Sequence, residues 1–440
     1  MACGGERRYK IRRFPGRKGG GEEGPDAACT QPLSSRSPSE VADLPKMHSL
    51  FSLLPFAATV LATRPFLNEP DTGIEQALGG TAVGTLPDLD SIVGLPDFDW
   101  AARRYMNTSG YAYYRNGAAG EWSYRNNLEV FQRFRLRPRV VRNIVDIESS
   151  LPTTILGHQF AAPFFISPCA RAGYAHPDAE AGLVRAAAAA NILYMVSGLV
   201  LVPVPPSLYA TLTIEQIAAA KPNPAQVTFQ QVYLDGNNTA SKLIFDRAKA
   251  AGSKAIILTV DSPADGNRHR ASRFNVGSAN SAYTYLTWDL FNELQTLTDL
   301  PIVPKGIMTV EDAELAARRG AKAIILSNHG GRQLDGAPSS LEVALEIYQR
   351  NPALFRQMEI YADGGVRYGT DVLKLLALGV RAVGLGRPFM FANVYGEAGV
   401  KRAIDLLKQE IAFDAANLGV GDLKKIGPSF VKWEANAWHS

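Results

Sequence analysis

The stretch AIILSNHGGRQLD, residues 323–335, decides the fold prediction for this chain. Its first four residues form an apolar run typical of a parallel β-strand that helices cover on both faces. His329 and Arg332 follow, so they stand just past the carboxyl end of that strand, where barrels and open α/β sheets bind ligands. Gly330 and Gly331 let the backbone turn sharply and approach a flat ligand. A histidine base beside a guanidinium suits removal of a proton or hydride next to a carboxylate.

The same pattern recurs along the chain from about residue 160. Short apolar runs alternate with helical periodicities, which is typical of repeated βα units. Eight strands within about 225 residues predict a closed α/β TIM barrel, (β/α)8. A doubly wound sheet is the alternative, but no GxGxxG fingerprint of a dinucleotide fold follows an early strand. The predicted strands are Pro163–Ser167, Ile192–Ser197, Val227–Tyr233, Ala255–Val260, Pro301–Lys305, Ala323–Ser327, Glu359–Ala362 and Ala382–Leu385. The predicted helices between them include Asp178–Ala190, Ala240–Ala251, Val310–Arg319, Thr370–Leu378 and Val400–Ala412.

An N-terminal helical extension is predicted before the barrel. It holds a helix around Ala101–Tyr105, the aromatic segment YAYYRNG at residues 111–117, and a helix over Trp122–Phe134. After the fourth strand, Asn275–Asn292 carries no apolar periodicity, and a long loop at a barrel mouth often serves as a lid. The extension and barrel together are predicted to form one domain over residues 98–435.

The N-terminal region has a different composition. Residues 1–46 are rich in Gly, Pro, Ser and Arg, which predicts a disordered tail or a segment that the mature protein lacks. The apolar stretch Leu50–Ala62 is short for a bilayer span but has the length of a signal-peptide core, so residues 47–97 are predicted to hold a signal segment and a linker. If translation starts at Met47, the protein enters the secretory pathway; otherwise it is intracellular, in the cytoplasm or the mitochondrion.

Composition narrows the class of protein. Hydrophobic residues make up 46% of the chain and charged residues 20%, so there are enough apolar side chains to form the core of a globular protein. The net charge is +4, and the first 46 residues contribute nine Lys or Arg against six Asp or Glu, so the rest is nearly neutral and a nucleic-acid partner is not expected. Cys169 stands alone in the body of the chain, which excludes a disulfide framework and a thiolate zinc site there.

The candidate functional side chains share one property, because each of them stands at or just past the carboxyl end of a predicted strand. The residues after the seventh and eighth predicted strands lie in the loops where barrels commonly bind phosphate. The amides of Gly364, Gly365 and Gly386, with Arg367 and Arg387, would cradle a phosphate dianion. The other strand-end positions are Ser167, Ala170, Ser197, Gln231, Tyr233, Thr259, Asp261 and Lys305.

Several runs together carry a family resemblance. They are QVY at 231–233, TVDSP at 259–263, SNHGGRQLD at 327–335, DGGVRYGTD at 363–371 and LGRP at 385–388. Over about residues 98–435 the chain resembles the FMN-dependent 2-hydroxy-acid oxidase/dehydrogenase family, which includes glycolate oxidase, lactate oxidase and the flavin domain of flavocytochrome b2. The resemblance implies non-covalent FMN at the mouth of the barrel. It also implies oxidation of an L-2-hydroxy acid to the 2-keto acid, with oxygen or an external acceptor taking the electrons.

The resemblance also implies roles for individual residues. His329 would be the base that takes the proton of the substrate hydroxyl or of its α-carbon, and Asp261 would stabilise the imidazolium. Arg332 and Arg268 would clamp the substrate carboxylate. Tyr113 would hydrogen-bond the same carboxylate, Tyr233 would contact the substrate hydroxyl or the developing carbonyl, and Lys305 would stabilise negative charge on the reduced flavin.

The FMN-binding positions are implied in the same way. Gln231, Thr259 and Ser197 would hydrogen-bond the isoalloxazine ring, with Ser167 beside them at the end of the first strand. The backbone of Ala170 would lie near the flavin N5 atom. Asp363 would hold the ribityl chain.

Three departures from the family pattern concern the substrate and the electron acceptor. Leu199 stands where short-chain oxidases often carry an aromatic residue, so the pocket is expected to be reshaped and glycolate is not the expected substrate. Asp265 replaces a common apolar residue; pointing inward it would favour a polar or cationic substrate side chain, and in a turn it would face water. The loop after the fourth strand is shorter than in most members, which argues against lactate monooxygenase.

No haem-binding domain precedes residue 98, so an internal electron acceptor is not expected. The resemblance also implies a homotetramer.

Two alternative functions stay open at this point. The first is an FMN barrel with different, isomerase-like chemistry, since a fold does not fix a function. The set of His329, Arg332 and Arg268 argues against it, because a double carboxylate clamp has no purpose there. The second is a non-catalytic flavin-binding protein. No position that matches a catalytic residue of the family is substituted, which argues against that one.

Overall fold

The computed structural model describes residues 72–197, 210–234, 237–277 and 284–433. The predictions for the tail at residues 1–46, for the apolar stretch Leu50–Ala62 and for Leu199 therefore lie outside the described residues.

A closed barrel of eight parallel strands forms the centre of the molecule, which confirms the TIM barrel prediction. Each barrel strand pairs with the next along the chain, and β11 (Ala382–Leu385) pairs with β4 (Phe164–Ile166) to close the ring. Outside the barrel, two antiparallel pairs form, one between β1 and β12 and one between β2 and β3. The other strands are β1 (Phe134–Leu136), β2 (Thr153–Ile155), β3 (His158–Phe160), β5 (Leu193–Ser197), β6 (Thr228–Val232), β7 (Ser253–Thr259), β8 (Ile302–Ile307), β9 (Ala323–Leu326), β10 (Glu359–Asp363) and β12 (Val431–Trp433).

The barrel strands alternate between two apolar cores. Phe165 and Ile257 point into the barrel, where they pack with Ile155 and Phe160 of the β2–β3 hairpin. Ile256, the neighbour of Ile257, belongs instead to the larger core between the strands and the surrounding helices. Both sides of each strand are thus covered, so a parallel strand reads as an unbroken apolar run with polar residues only where it ends.

Helices surround the barrel and also form the extension that precedes it. In the described part of the chain, none of them is long and apolar enough to cross a lipid bilayer. They are α1 (Ile74–Leu78), α2 (Leu95–Tyr105), α3 (Thr108–Arg115), α4 (Trp122–Arg133), α5 (Glu180–Ala189), α6 (Ile214–Ala219), α7 (Asn238–Ala250), α8 (His269–Arg273), α9 (Trp288–Thr296), α10 (Val310–Arg318), α11 (Ser340–Arg350), α12 (Leu354–Gln357), α13 (Gly369–Ala377), α14 (Arg387–Ala392) and α15 (Gly396–Leu418).

Helix α2 is longer than the sequence predicted. It begins at Leu95, whereas the helix was expected around Ala101–Tyr105. The Asp97 carboxylate accepts hydrogen bonds from the backbone N–H groups of Val93 and Gly94, at 2.7 and 3.1 Å. These bonds satisfy backbone donors at the start of the helix, so it extends about one and two-thirds turns further towards the amino end.

Helix α9 corrects the expectation for the segment Asn275–Asn292. The helix begins at Trp288, inside a stretch predicted to lack helical periodicity. Thr287 caps it by accepting a hydrogen bond from the backbone N–H of Leu290 at 3.1 Å. Phe291 and Leu294, three residues apart, bury one face of the helix.

Candidate active site

A cleft at the carboxyl ends of the barrel strands brings most of the predicted site residues together. It encloses about 870 Å³ of empty space, part of it open to solvent. Asp261 lies behind His329 rather than on the cleft wall, and Leu199 lies outside the described residues. The predicted residues that line the cleft are Tyr113, Ser167, Ala170, Ser197, Gln231, Tyr233, Thr259, Arg268, Lys305, His329, Arg332, Asp363, Gly364, Gly365, Arg367, Gly386 and Arg387.

His329 is paired with a buried carboxylate. Its Nδ1 atom lies 3.0 Å from Oδ1 of Asp261, whose side chain is fully buried. The Tyr233 hydroxyl lies 3.4 Å from Nε2 of the same ring. With Nδ1–H donating to the carboxylate, Nε2 keeps its lone pair and faces the cleft, the arrangement of a general base.

Burial keeps the imidazole of His329 in its neutral form. Burial lowers the pKa of His329 below its usual value, and the Asp261 carboxylate only partly offsets that effect. Burial also raises the pKa of the Asp261 carboxyl, but the facing His329 and Lys305 outweigh it, so the carboxyl pKa lies below its usual value. At neutral pH the pair is therefore an imidazole beside a carboxylate, ready to accept a proton.

Two arginines meet on one side of the cleft. Arg268 donates from Nε to the backbone carbonyl of Arg332 at 3.0 Å and from Nη2 to Oε1 of Gln333 at 2.6 Å. Burial and the nearby Arg332 lower the pKa of Arg268 to about 10. Among the described residues, the buried Nε of Arg332 has no hydrogen-bond partner. A guanidinium with a buried, unsatisfied donor suits an incoming anion such as a carboxylate.

Lys305 brings a positive charge to the centre of the mouth. It lies on β8, and its Nζ donates to Oγ of Ser327 at 2.9 Å and lies 3.5 Å from Oδ2 of Asp363. Burial lowers the pKa of Lys305, but Asp363 and Asp261 outweigh it, so the pKa lies above its usual value. The ammonium group therefore stays charged, which suits a neighbouring ligand on which negative charge develops.

Polar side chains form a row across three adjacent strand ends. Oγ of Ser197, on β5, lies 3.3 Å from Oε1 of Gln231 on β6. Nε2 of Gln231 donates to Oγ1 of Thr259 on β7 at 2.8 Å. All three side chains are buried, and such a row suits the hydrogen-bonding edge of a flat heteroaromatic ring.

A tight glycine-lined turn follows β10. Gly364 and Gly365 have φ values of 107° and 83°, a region that favours glycine. An added Cβ at Gly365 would lie 1.8 Å from the backbone oxygen of Asn127, so the residue must stay without a side chain. Arg367 follows this turn, and its backbone N–H donates to Asp371 at 3.0 Å. Successive glycine amides next to a guanidinium suit a phosphate group.

Arg387 makes contacts that the sequence did not indicate. Its guanidinium donates to the backbone carbonyls of Tyr114, Asn116 and Gly330, at 2.7, 2.7 and 2.9 Å. Burial lowers the pKa of Arg387 to about 9. The side chain reaches the cleft, but it also ties the N-terminal extension to the turn that carries His329.

Two tyrosines of the extension each lie between two guanidinium groups. The ring of Tyr113 has the Arg171 guanidinium 4.9 Å and the Arg332 guanidinium 5.2 Å from its centroid. The ring of Tyr124 is contacted in the same way by Arg115 and Arg387, at 4.0 and 4.8 Å. These cation–π contacts hold the extension over the barrel mouth and place Tyr113 at the cleft.

Sequence reasoning assigned no role to some residues of the site, although several of them lie next to residues that it did identify. Ser327, Asn328 and Gln333 belong to the run SNHGGRQLD at 327–335, but the sequence alone indicates no role for them. Asn127, which contacts Asn328, carried no signal, because it lies in an ordinary amphipathic helix. Asp265 is exposed and is not among the residues that line the cleft.

FMN fits these residues. The cleft walls carry Lys305, Arg268, Arg332 and Arg367 against the single carboxylate of Asp363, so they favour anions. That excess of positive charge matches a phosphate dianion together with the carboxylate of a second ligand. The polar row at β5–β7 lines the same cleft as these charges and can receive a flat ring.

Comparison with known proteins agrees with this chemistry. The sequence profile of the family described as FMN-dependent dehydrogenase matches residues 102–284 and 275–433. Mouse 2-hydroxyacid oxidase 2 is 36% identical over 366 residues, which cover 78% of this chain and 99% of the relative. The L-lactate oxidase of Nostoc sp. is 35% identical over 376 residues, with 78% and 99% covered. The crystal structure of the flavin-binding domain of baker's yeast flavocytochrome b2 superposes with a TM-score of 0.73 at 32% identity, covering 80% of this chain and 90% of that one.

Fold, cleft chemistry and these similarities agree with one another. The chain belongs to the FMN-dependent 2-hydroxy-acid oxidase/dehydrogenase family and is an FMN-dependent oxidoreductase that acts on the CH–OH group of 2-hydroxy acids.

Proposed function

We propose that the protein oxidises an L-2-hydroxy acid to the 2-keto acid with His329 as the base. The observation that carries the proposal is the pairing of His329 with Asp261 at 3.0 Å, in a cleft that also holds Arg332 and Arg268. A base and two guanidinium groups at one mouth match the two groups that every 2-hydroxy acid has next to each other, a hydroxyl and a carboxylate.

Arg332 and Arg268 bind the substrate carboxylate, and Tyr113 donates a hydrogen bond to it. The unsatisfied Nε of Arg332 among the described residues supports this assignment. Arg268 is held in place by Gln333 and by the backbone of Arg332, so it is oriented before the substrate arrives. The clamp fixes the substrate's α-carbon beside the histidine.

His329 then takes a proton from the substrate, either from the hydroxyl or from the α-carbon. The imidazolium that results is stabilised by Asp261, because an opposite charge at 3.0 Å in a buried site favours the charged form. Tyr233, whose hydroxyl lies 3.4 Å from Nε2, hydrogen-bonds the substrate oxygen as it becomes a carbonyl. FMN, when bound, would take the two electrons and the second hydrogen that the substrate loses.

The residues proposed to hold FMN act by hydrogen bonding and charge. The polar row binds the ring, the glycine turn with Arg367 binds the phosphate, and Lys305 supplies positive charge for the reduced cofactor. The FMN-binding set is Ser167, Ala170, Ser197, Gln231, Thr259, Lys305, Asp363, Gly364, Gly365, Arg367, Gly386 and Arg387.

Glycolate is not the proposed substrate, because Leu199 stands where short-chain oxidases often carry an aromatic residue. Oxygen or an external acceptor is proposed as the final electron acceptor. The domain boundaries at residues 98 and 435 and the homotetramer stay predictions.

An absorbance spectrum with and without oxygen tests the proposal. Purified protein should show the yellow flavin band, and L-2-hydroxy acids of varied side chain should bleach it in the absence of oxygen. The rate at which the colour returns in air then separates an oxidase from a dehydrogenase. A yellow protein that no 2-hydroxy acid bleaches would instead indicate the non-catalytic or isomerase-like alternative, and a protein that cannot be loaded with FMN would refute the assignment.

A further inference from the structure

The turn that carries His329 has an unfavourable backbone conformation. His329, Gly330 and Gly331 have φ values of 59°, 65° and 74°, so three consecutive residues are left-handed. For the histidine this conformation is strained, and such strain persists only where surrounding contacts fix the backbone. The contacts that fix this turn therefore decide where the proposed base points.

The side chain of Asn328 supplies several of these contacts. Its Oδ1 accepts hydrogen bonds from the backbone N–H of Gly331 at 3.0 Å and from Nδ2 of Asn127 at 2.8 Å. Its Nδ2 donates to Oδ1 of Asn127 at 2.9 Å and to the backbone carbonyl of Pro338 at 3.0 Å. The amide of Asn328 thus makes two bonds as acceptor and two as donor, and the residue is 2% exposed.

Asn127 extends the connection to the glycine turn of the proposed phosphate site. It lies on α4, is also 2% exposed, and forms a reciprocal amide pair with Asn328. Its backbone oxygen packs so closely against Gly365 that a Cβ there would lie 1.8 Å away. A Cβ on Gly364 would lie 3.4 Å from Nδ2 of Asn127 and 3.7 Å from Oδ1 of Asn328.

We propose that the Asn127–Asn328 amide pair is a positioning device that couples the phosphate-binding turn to the turn of the catalytic base. The proposal rests on the function proposed above, in which His329 is the base and Gly364–Gly365 bind the FMN phosphate. Neither asparagine is itself a catalytic residue. Each acts by holding a backbone turn, and the pair makes the two turns one unit with α4 between them.

The chemistry of the primary amide explains why both positions are asparagine. A reciprocal pair needs one donor and one acceptor on each side chain, which a primary amide provides in a short, rigid form. Aspartate at position 328 would replace the Nδ2 donor with a carboxylate oxygen. That oxygen would face the Asn127 side-chain oxygen and the Pro338 carbonyl oxygen, which are both buried acceptors, so no hydrogen bond could form. Alanine at either position would leave the partner amide buried and unsatisfied.

The test compares Asn328→Ala, Asn127→Ala and the double variant with Asn126→Ala. Asn126 is a matched control, because it lies on the same helix and is also 2% exposed, but its side-chain amide donates to Glu342 at 2.8 Å rather than to Asn328. For each variant, kcat and KM with the best L-2-hydroxy acid, the Kd of FMN for the apoprotein and the melting temperature are measured.

We expect Asn328→Ala to lower kcat by about 10- to 100-fold while KM changes by less than about threefold, since the arginine clamp remains and only the base is displaced. Asn127→Ala should lower kcat similarly and raise the Kd of FMN by about tenfold or more, the size of a lost buried hydrogen bond with its unsatisfied partner. The double variant should lose no more than about the larger single loss, because both substitutions remove one interaction.

Other outcomes would overturn the proposal. It fails if the two variants keep kcat and FMN affinity and lose only thermal stability, as expected of Asn126→Ala, or if their effects on kcat multiply in the double variant. If alanine prevents folding, Asn328→Ser keeps a group that both donates and accepts and should give the same fall in kcat with little change in KM. Failure of the proposed function is recognised separately, because His329→Gln would then retain turnover whatever the asparagine variants do.

Discussion

Nδ1 of His329 lies 3.0 Å from Oδ1 of Asp261, two residues that are 68 positions apart in the chain. Asp261 follows β7 and His329 follows β9, and the strand between them, β8, brings Lys305 to the same mouth. The fully buried carboxylate fixes the ring and its tautomer, so Nε2 faces the cleft. This pair is the basis of the first two predictions.

Substituting His329 with glutamine should remove turnover and leave FMN bound. Glutamine keeps a polar side chain of similar size but cannot accept a proton, and positioned bases typically contribute about 10²- to 10⁴-fold to a rate. The rate of flavin bleaching by substrate without oxygen measures the effect, and the flavin spectrum of the variant is the control. Bleaching at the rate of the unmodified protein would exclude His329 as the base.

The acidic limb of the pH profile of kcat/KM should lie below pH 6.5, the usual histidine pKa, because burial lowers the pKa of His329. The enzyme needs the neutral imidazole, so activity is lost as pH falls through that pKa. Asp261→Asn removes the carboxylate that raises the pKa, and burial with Lys305 and Arg332 then acts unopposed. The limb of this variant should therefore move to lower pH, and a move to higher pH would contradict the proposed pairing.

Replacing Arg332 with alanine should raise KM for 2-hydroxy acids by about 10- to 100-fold, the range expected for a lost hydrogen bond to a charged group. Initial-rate kinetics over a wide substrate range give the value. Arg350 provides the control, since it is exposed and pairs with Glu311 and Glu346, so Arg350→Ala should leave KM unchanged. An unchanged KM in the Arg332 variant would show that the carboxylate binds elsewhere.

Substitution of two glycines by alanine separates the cost of the backbone conformation from the cost of a steric clash of the added Cβ. Gly365 and Gly320 have nearly equal φ values of 83° and 81°, but only at Gly365 would a Cβ collide, 1.8 Å from the Asn127 oxygen, whereas no atom lies within 4 Å at Gly320. Gly320→Ala should lower the free energy of unfolding by about 1 kcal/mol and leave FMN binding intact. Gly365→Ala should destabilise more and weaken FMN binding, measured by titration of the apoprotein. Equal effects of the two substitutions on FMN affinity would contradict the assigned phosphate turn.

Glu410 should make stability depend on pH. Its Oε2 accepts a hydrogen bond from the backbone N–H of Gly369 at 2.9 Å, and burial, with Asp414, Asp371 and Asp97 nearby, raises its pKa from 4.5 to about 7. The folded state thus holds a proton that the unfolded chain releases near pH 4.5, so this contribution to stability is full below pH 4.5 and is lost as pH rises through 7.

The glutamine variant tests this dependence. Glu410→Gln is permanently neutral, so its melting temperature relative to the unmodified protein should rise between pH 5 and pH 8. Glu346→Gln, at a half-buried position on α11, is the control and should show a smaller change. A difference for Glu410→Gln that is the same at both pH values would contradict the raised pKa.

The barrel was predictable because its strands are buried on both faces. Such strands appear as short apolar runs, and the predicted Ala382–Leu385 has the same bounds as β11. The start of α2 and the helix α9 were missed for a different reason. Their ends depend on caps, at Asp97 and Thr287, which the apolar periodicity does not show.

The sequence by itself determined which side chains stand at the barrel mouth, since the carboxyl end of every parallel strand in a closed barrel faces the same way. Only the tertiary structure decided which of them touch. It placed Tyr113 between Arg171 and Arg332, and it paired Asn127 with Asn328, 201 positions away. The physical reason is that periodicity encodes the local backbone and its buried face, whereas contacts between distant side chains depend on how whole elements pack.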